Sequence, residues 1–172
     1  MNWKLVLPIA LFTPALALAQ GKPSDPQIAH IVVTANQIDI DAGKLAKSKS
    51  KNKEVQGFAQ QMITDHTAVN KQAGALAKKL GVKPEDNDTS KALNKGAQDN
   101  TAKLKTLSGA AFDKEYVDHE VAYHQQVLDA IDKVLVPSAQ NAELKGLIEK
   151  VRPAIAAHLE HAKHIQGSMG KK

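Results

Sequence analysis

Residues 112–135 constrain the fold of this chain most, because ionisable groups interrupt an apolar side that has helical spacing. The apolar positions predict one long amphipathic helix; they are Phe112, Tyr116, Val117, Val121, Val127, Leu128, Ile131, Val134 and Leu135. Asp113, Glu120 and His124 lie on the same side, since the positions 113, 117, 120 and 124 follow one helix face. Ionisable groups on a buried stripe are costly unless they are paired or bind a metal. The stretch therefore predicts polar partners on neighbouring helices.

Three other segments have the same amphipathic periodicity, and neither a strand pattern nor an internal repeat is apparent. They predict long helices over residues 26–48, 53–80 and 139–166, with a weaker helix over 91–107. Asp25 is the predicted N-cap of the first helix, with Pro26 at its first position. Thr89 or Ser90 is the predicted cap of the weaker helix. A tight turn is predicted at residues 136–138, and Pro153 should kink the last helix because it lacks a backbone N–H.

The order of these segments predicts an all-α, ferritin-like four-helix bundle. Short turns join the first two helices and the last two. A connection of roughly 27 residues, including the weaker helix, is long enough to cross back along a bundle between helices 2 and 3. The predicted domain covers residues 25–166, and residues 167–172 are expected to form a flexible tail.

The first 19 residues have the pattern of a secretory signal peptide. Lys4 precedes an apolar run at residues 5–18, and Ala17-Leu18-Ala19 gives a small-residue cleavage site before Gln20. The run is short and interrupted by proline, which favours a cleaved signal over a transmembrane anchor. The chain has no Cys, so it offers neither a lipoprotein acylation site nor a thiolate ligand. We expect an exported, soluble, periplasmic protein.

The net charge of +5 at pH 7 does not indicate a nucleic-acid partner. Lysines are spread over polar faces, with one dense run at residues 44–53, and few aromatic residues accompany them. Weak contact with anionic envelope surfaces is the partner that this charge suggests. The sequence does not indicate an oligomeric state.

Each of the four long helices carries inward polar groups at a similar height in the predicted bundle. The expected metal ligands are Asp39, His66, Glu120, His124 and His158. Counting residues from the turns places His66 level with His124, and His158 about one turn away, near Glu120. Imidazoles and carboxylates that converge in a bundle core form metal sites on this architecture. The donor set suits iron, zinc, copper, nickel or manganese and does not choose among them.

Further residues are expected around these ligands. Asn36, Asp65, Asp113 and Tyr116 are candidates to hydrogen-bond the ligands, and His161 is a candidate outer ligand. Spacing predicts that His119 packs on Tyr123 one turn later, that His164 is at the surface, and that His30 is structural or exposed.

Two other interpretations remain open. The paired Glu-x-x-His motifs of di-iron proteins are absent, so a mononuclear or degenerate site is favoured over a ferroxidase centre or an enzyme with a di-metal site. A metal-free network of the same buried groups would also satisfy the cost of burial. The protein would then be an envelope stress or interaction protein with structural histidines.

Four stretches of this sequence resemble the DUF4142 family of bacterial envelope proteins. They are NQIDIDAGKLA (36–46), FAQQMITDHTAVNK (58–71), SGAAFDKEYVDHEVAYHQ (108–125) and HLEHAK (158–163). The resemblance implies an exported ferritin-like bundle without an established activity. It also implies that the motif positions are Asp39, His66, Asp113, Tyr116, His124 and His158.

Overall fold

A computed structural model describes residues 21–169, and every regular element within that range is helical. The helices are α1 (Asp25–Lys49), α2 (Lys53–Leu80), α3 (Asp88–Thr106), α4 (Gly109–Ala130), a π-helical turn (Ile131–Leu135), α5 (Val136–Ser138) and α6 (Ala142–Met169). The predicted all-α bundle is confirmed. No helix in the described range is long and apolar enough to cross a membrane.

Contacts between helix ends give the direction of each helix. Asp25 at the start of α1 accepts hydrogen bonds from the backbone of Gln140 and Asn141, just before α6. At the opposite end, Lys49 of α1 donates to the carbonyl of Leu104 in α3. Helices α1 and α6 therefore run in one direction and α2 and α4 in the other. The crossover helix α3 lies against α1 and α4.

The apolar core is divided into two clusters along the bundle. One lies near the start of α1 and contains Ile28, Ile31, Val32, Leu128, Ile148 and Ile155 among others. The other lies near the end of α1 and contains Ala46, Phe58, Met62, Phe112, Tyr116 and Ile165 among others. Along α1, α2 and α4 the inward polar residues fall between the two clusters, and along α6 His158 lies next to Leu159, the last residue of the first cluster on that helix. We call the residues Asn36, Asp39, His66, Glu120, His124 and His158 the polar layer.

Two predicted helix caps were wrong. Ser24 is the N-cap of α1, where Gln27 Oε1 accepts from the Ser24 N–H at 3.1 Å, and Asp25 is already helical. The Asp25 carboxylate instead accepts hydrogen bonds from the two backbone N–H groups before α6, each at 2.9 Å. Helix α3 starts at Asp88, three residues earlier than predicted, because Asn87 and Ser90 cap each other.

The predicted turn at residues 136–138 was also wrong. The chain stays helical through a π-helical turn to Ser138, and α6 begins at Ala142, three residues later than predicted. Pro137 has no N–H for the carbonyl of Lys133. The preceding N–H, of Val136, bonds Ile131 O five residues back, which is the π pattern.

The end of the last helix differs from the prediction as well. Helix α6 continues to Met169, past the predicted start of a flexible tail at residue 167. The predicted signal peptide and residues 170–172 lie outside the described residues.

Candidate metal centre

Three histidines from three helices meet in the polar layer. The ring centroids are 5.8 Å apart for His66 and His124, 5.2 Å for His66 and His158, and 5.5 Å for His124 and His158. One ring nitrogen of each residue lies within 4.8 Å of the other two. All three side chains are at least 97% buried. Burying three imidazoles together is costly unless their nitrogens find partners.

One nitrogen of each ring has a hydrogen-bond partner outside the group of imidazoles. His66 Nδ1 lies 2.7 Å from Asn36 Oδ1, and His124 Nδ1 lies 2.9 Å from the carbonyl oxygen of Glu120. His158 Nε2 lies 2.9 Å from Asp65 Oδ2. Each partner is an acceptor, so each of these ring nitrogens carries the proton in a neutral imidazole.

The second nitrogen of each ring is thereby left with a lone pair. These atoms are His66 Nε2, His124 Nε2 and His158 Nδ1, and none has a hydrogen-bond partner within residues 21–169. Buried polar atoms are nearly always hydrogen-bonded in folded proteins, so three adjacent exceptions need an explanation. A metal ligand uses the neutral imidazole, with the opposite ring nitrogen held by a carboxylate or carbonyl.

Two carboxyl groups adjoin the imidazoles. Asp39 Oδ2 lies 3.4 Å from His66 Nε2, and Asp39, Glu120 and His124 form a second group of potential ligand atoms within 4.8 Å. In the described part of the chain, Asp39 Oδ1, both oxygens of Glu120 and the Tyr116 hydroxyl have no hydrogen-bond partner. The layer thus presents nitrogen and oxygen donors side by side.

The environment keeps the imidazoles neutral. Burial, followed by the neighbouring His124 and His158, lowers the pKa of His66 from 6.5 to about 3. Burial lowers the pKa of His124 to about 4, partly opposed by its bond to the Glu120 carbonyl. Burial also lowers the pKa of His158, against the opposing effect of Asp65. At neutral pH all three rings are therefore unprotonated at one nitrogen and able to bind metal.

The same burial raises the pKa values of the carboxyl groups and favours their neutral, protonated form. Burial raises the pKa of Glu120 to about 8, and burial together with the neighbouring Glu120 raises the pKa of Asp39 well above its usual range. The pKa of the Tyr116 phenol is also raised, first by burial and then by these carboxyl groups. Two carboxylates cannot both ionise easily in an apolar interior without a cation nearby.

The structure brings together most of the residues singled out from the sequence. Asn36 and Asp65 contact His66 and His158, as just described. The His158 ring lies 5.2 Å from that of His66 and 5.5 Å from that of His124, between centroids. Its predicted displacement by about one turn stays a prediction.

Other predicted positions lie outside this arrangement. Asp113 is buried but two helical turns, or about 10 Å, before Glu120. His161 is exposed, bonds Gln61 Oε1 at 3.0 Å and does not belong to either group of close ligand atoms. His119 stacks on Tyr123 with centroids 5.7 Å apart, as its spacing predicted. The sequence analysis missed the Glu120 carbonyl as a partner of His124, although an i−4 carbonyl is always near a helical side chain.

The family profile of DUF4142, a domain of unknown function, matches residues 11–165. The chain belongs to the DUF4142 family. No curated protein sequence matches this DUF4142 chain.

Two solved structures have a similar helical bundle. One is a DUF305 protein from Streptomyces coelicolor, described as secreted, with a TM-score of 0.71 and 11% identity over 84% of this chain and 92% of that one. The other is CopM in its Cu(II)-bound form, with a TM-score of 0.63 and 18% identity over 85% of this chain and 98% of that one. At these identities the likeness concerns the fold alone.

Proposed function

We propose that this DUF4142 protein binds a transition-metal ion in the polar layer and buffers or senses that metal outside the cytoplasm. His66, His124 and His158 are the proposed imidazole ligands, and Asp39 and Glu120 are the proposed carboxylate donors beside them. One observation carries the proposal: His66, His124 and His158 each bring a ring nitrogen within 4.8 Å of the other two, and each has a buried ring nitrogen with no hydrogen-bond partner in residues 21–169.

The donor chemistry fits a first-row transition metal. Neutral imidazoles suit zinc, copper, iron and nickel, and adjacent carboxylates extend the set to manganese. Copper(II) is the first ion to test, because it has the highest affinity for such sites among divalent first-row metals. The Cu(II)-bound form of CopM, a protein of similar fold, supports the same choice.

The enclosure of the site favours storage or sensing over catalysis on a large substrate. His66, Glu120 and His124 are at most 2% exposed, so an ion among them would be covered by the bundle. The predicted signal peptide supports a place outside the cytoplasm, as does the description of the similarly folded DUF305 protein as secreted. An exported, enclosed metal site suits a protein that holds an ion and releases it on demand.

The test is the metal content of the untagged protein from Gln20 onward, since a His tag would add ligands. Each of the five candidate metals is supplied in turn, weakly bound metal is removed, and the remainder is measured by elemental mass spectrometry. About one ion per chain is the expected content. The same measurement on the double variant His66→Ala, His124→Ala should give no retained metal.

The matched control removes two surface histidines instead. His161→Ala with His164→Ala deletes the same number of imidazoles from exposed positions of α6 and should retain the metal. Circular dichroism establishes that both double variants remain helical. Absence of retained metal in the wild-type protein, with all five ions, would contradict the proposal.

A metal-free role remains the alternative. The observation that favours it is that His66 and His158 donate hydrogen bonds to Asn36 and Asp65, since a structural network would need the same bonds. In that case the double variant His66→Ala, His124→Ala would have a lower free energy of unfolding, and the wild-type protein would retain no metal. The layer would then be a polar core within an envelope interaction or stress protein.

A further inference from the structure

The three imidazoles differ in where their hydrogen-bond partners lie. His66 is held by Asn36, which is 7% exposed, and His124 is held by a main-chain carbonyl of its own helix. His158 is held by Asp65, whose side chain is 42% exposed. Of these three hydrogen-bond partners, Asp65 is therefore the one with an exposed side chain.

The side of the bundle between α2 and α6 is also polar next to this contact. One helical turn away on both helices, Gln61 Oε1 bonds the exposed His161 at 3.0 Å. By contrast, α1 and α2 approach closely where a Cβ on Gly43 would lie 2.9 Å from the Ala59 carbonyl oxygen. Between α1 and α4, the Tyr123 hydroxyl donates to the Ala35 carbonyl at 3.2 Å. On the α2–α6 side, the partly exposed Asp65 side chain therefore lies in direct contact with a buried imidazole of the polar layer.

We infer that metal ions reach and leave the polar layer between α2 and α6, where Asp65 first attracts the ion and His158 passes it inward. This inference rests on the proposed function. The anionic Asp65 attracts a cation at the surface. His158 then binds the ion through Nδ1, which has no hydrogen-bond partner in residues 21–169, while its Nε2–H keeps the hydrogen bond to Asp65. Asp65 is here a positioning residue that acts through His158.

Kinetics can distinguish this role from a purely structural one. A group that assists passage lowers the barrier in both directions, so its loss slows association and dissociation together and leaves the dissociation constant nearly unchanged. A group that only orients His158 in the final site changes the dissociation constant, chiefly through faster dissociation. The ratio of the two rate changes is therefore the informative quantity.

The variant Asp65→Asn keeps an oxygen that can accept from His158 Nε2 and removes the charge. Stopped-flow mixing of Cu(II) with the apo protein gives the association rate from quenching of the Tyr116 and Tyr123 fluorescence, because the mature chain has no Trp. Mixing the copper-loaded protein with excess EDTA gives the dissociation rate. Asp65→Glu keeps the charge and should behave as the wild type. Asp41→Asn, on the exposed face of α1, is the matched control.

We expect Asp65→Asn to slow both steps by about tenfold and to weaken the dependence of association on ionic strength. Asp41→Asn should leave both rates unchanged. Unchanged rates in Asp65→Asn, or faster dissociation with unchanged association, would overturn the inference while the metal site stands. Absence of any copper binding by the wild type would instead overturn the proposed function and this inference with it.

Discussion

The amide oxygen of Asn36 lies 2.7 Å from Nδ1 of His66, while the amide nitrogen of Asn36 donates to the carbonyl of Val32 at 2.7 Å. The second contact fixes the orientation of the amide, because a carbonyl can accept only from the NH₂ end. The oxygen must therefore face the imidazole, and His66 Nδ1 must carry the proton. Asn36 thus selects the tautomer that leaves the Nε2 lone pair available beside Asp39.

Asn36→Ala should weaken metal binding without removing a ligand. Loss of a hydrogen bond that orients a ligating imidazole typically costs 10- to 100-fold in affinity, and we expect about that loss here. The free energy of unfolding of the apo protein should fall by about 1–3 kcal/mol, because Nδ1–H of His66 is left buried without an acceptor. Competitive metal titration and urea unfolding measure the two effects.

Asn70→Ala is the control for this variant. Asn70 donates to a main-chain carbonyl of α1 at 3.4 Å, in a hydrogen bond that involves none of the three imidazoles. An affinity in Asn36→Ala equal to that in Asn70→Ala would show that the amide does not orient a ligand.

Acid should destabilise the apo protein through the imidazoles. The pKa of His66 falls from 6.5 to about 3 on folding, and that of His124 falls to about 4. Between these values the unfolded chain binds more protons than the folded protein, so the stabilising contribution present above pH 6.5 is lost as the pH falls toward the folded pKa values. Below about pH 4.5, where the raised pKa of Glu120 no longer opposes this effect, urea unfolding at several pH values should show a free energy of unfolding that decreases as the pH falls.

The variant His66→Gln tests whether the imidazoles cause this dependence of the free energy of unfolding on pH. It removes one titrating group and should flatten the dependence on pH, whereas His164→Gln at the surface should leave it unchanged. Equal slopes in the two variants would mean that other groups cause the acid sensitivity.

The carboxyl groups should act in the opposite direction at higher pH. The pKa of Glu120 rises from 4.5 to about 8 on folding, and the pKa of Asp39 is raised as well. The folded protein therefore holds protons that the unfolded chain has released, and this contribution to stability is lost as the pH rises toward about 8. Glu120→Gln should be more stable than the wild type at the upper end of this range and less dependent on pH.

Glu149→Gln, an exposed position on α6, is the comparison for Glu120→Gln. Urea unfolding of the metal-free proteins measures both. If the two variants follow the same pH profile, Glu120 does not retain its proton in the folded protein.

Sequence reasoning predicted the bundle and most of the polar layer for one physical reason. A helix repeats every 3.6 residues, so an ionisable residue on an apolar face must point inward, and Asp39, His66, Glu120, His124 and His158 were all identified in this way. Each of them is buried in the structure. Whether they bind a metal is a prediction that the structure leaves to experiment.

The predictions that were wrong concern features set by contacts between residues distant in sequence, or by a local change in backbone hydrogen bonding. Asp25 is a good N-cap residue, but its carboxylate accepts hydrogen bonds from backbone N–H groups 115 and 116 residues later. The start of α6 was predicted three residues too early, because the chain stays helical through a π-helical turn and Pro137 before it reaches Ala142. The predicted kink at Pro153 stays a prediction.

Gly43 provides the last prediction, because it links the packing of α1 and α2 to the geometry of the site. A Cβ at this position would lie 2.9 Å from the Ala59 carbonyl oxygen and 3.1 Å from Ile63 Cγ1. The main-chain oxygen cannot move without shifting α2, so Gly43→Ala should lower the free energy of unfolding by about 1–3 kcal/mol. Asp39 lies one turn before Gly43, and His66 lies one turn after Ile63. The 3.4 Å approach of Asp39 to His66 should therefore lengthen, and copper affinity should fall with stability.

Gly57→Ala is the matched control, since nothing lies within 4 Å of a Cβ there and the residue is within α2. Replacement at such a helical position should stabilise the protein by about 0.5–1 kcal/mol and leave copper affinity unchanged. Urea unfolding and competitive copper titration of the two variants give both quantities. If Gly43→Ala lost stability but kept the wild-type affinity, the spacing of α1 and α2 would not set the geometry of the ligands, and Asp39 would not be among them.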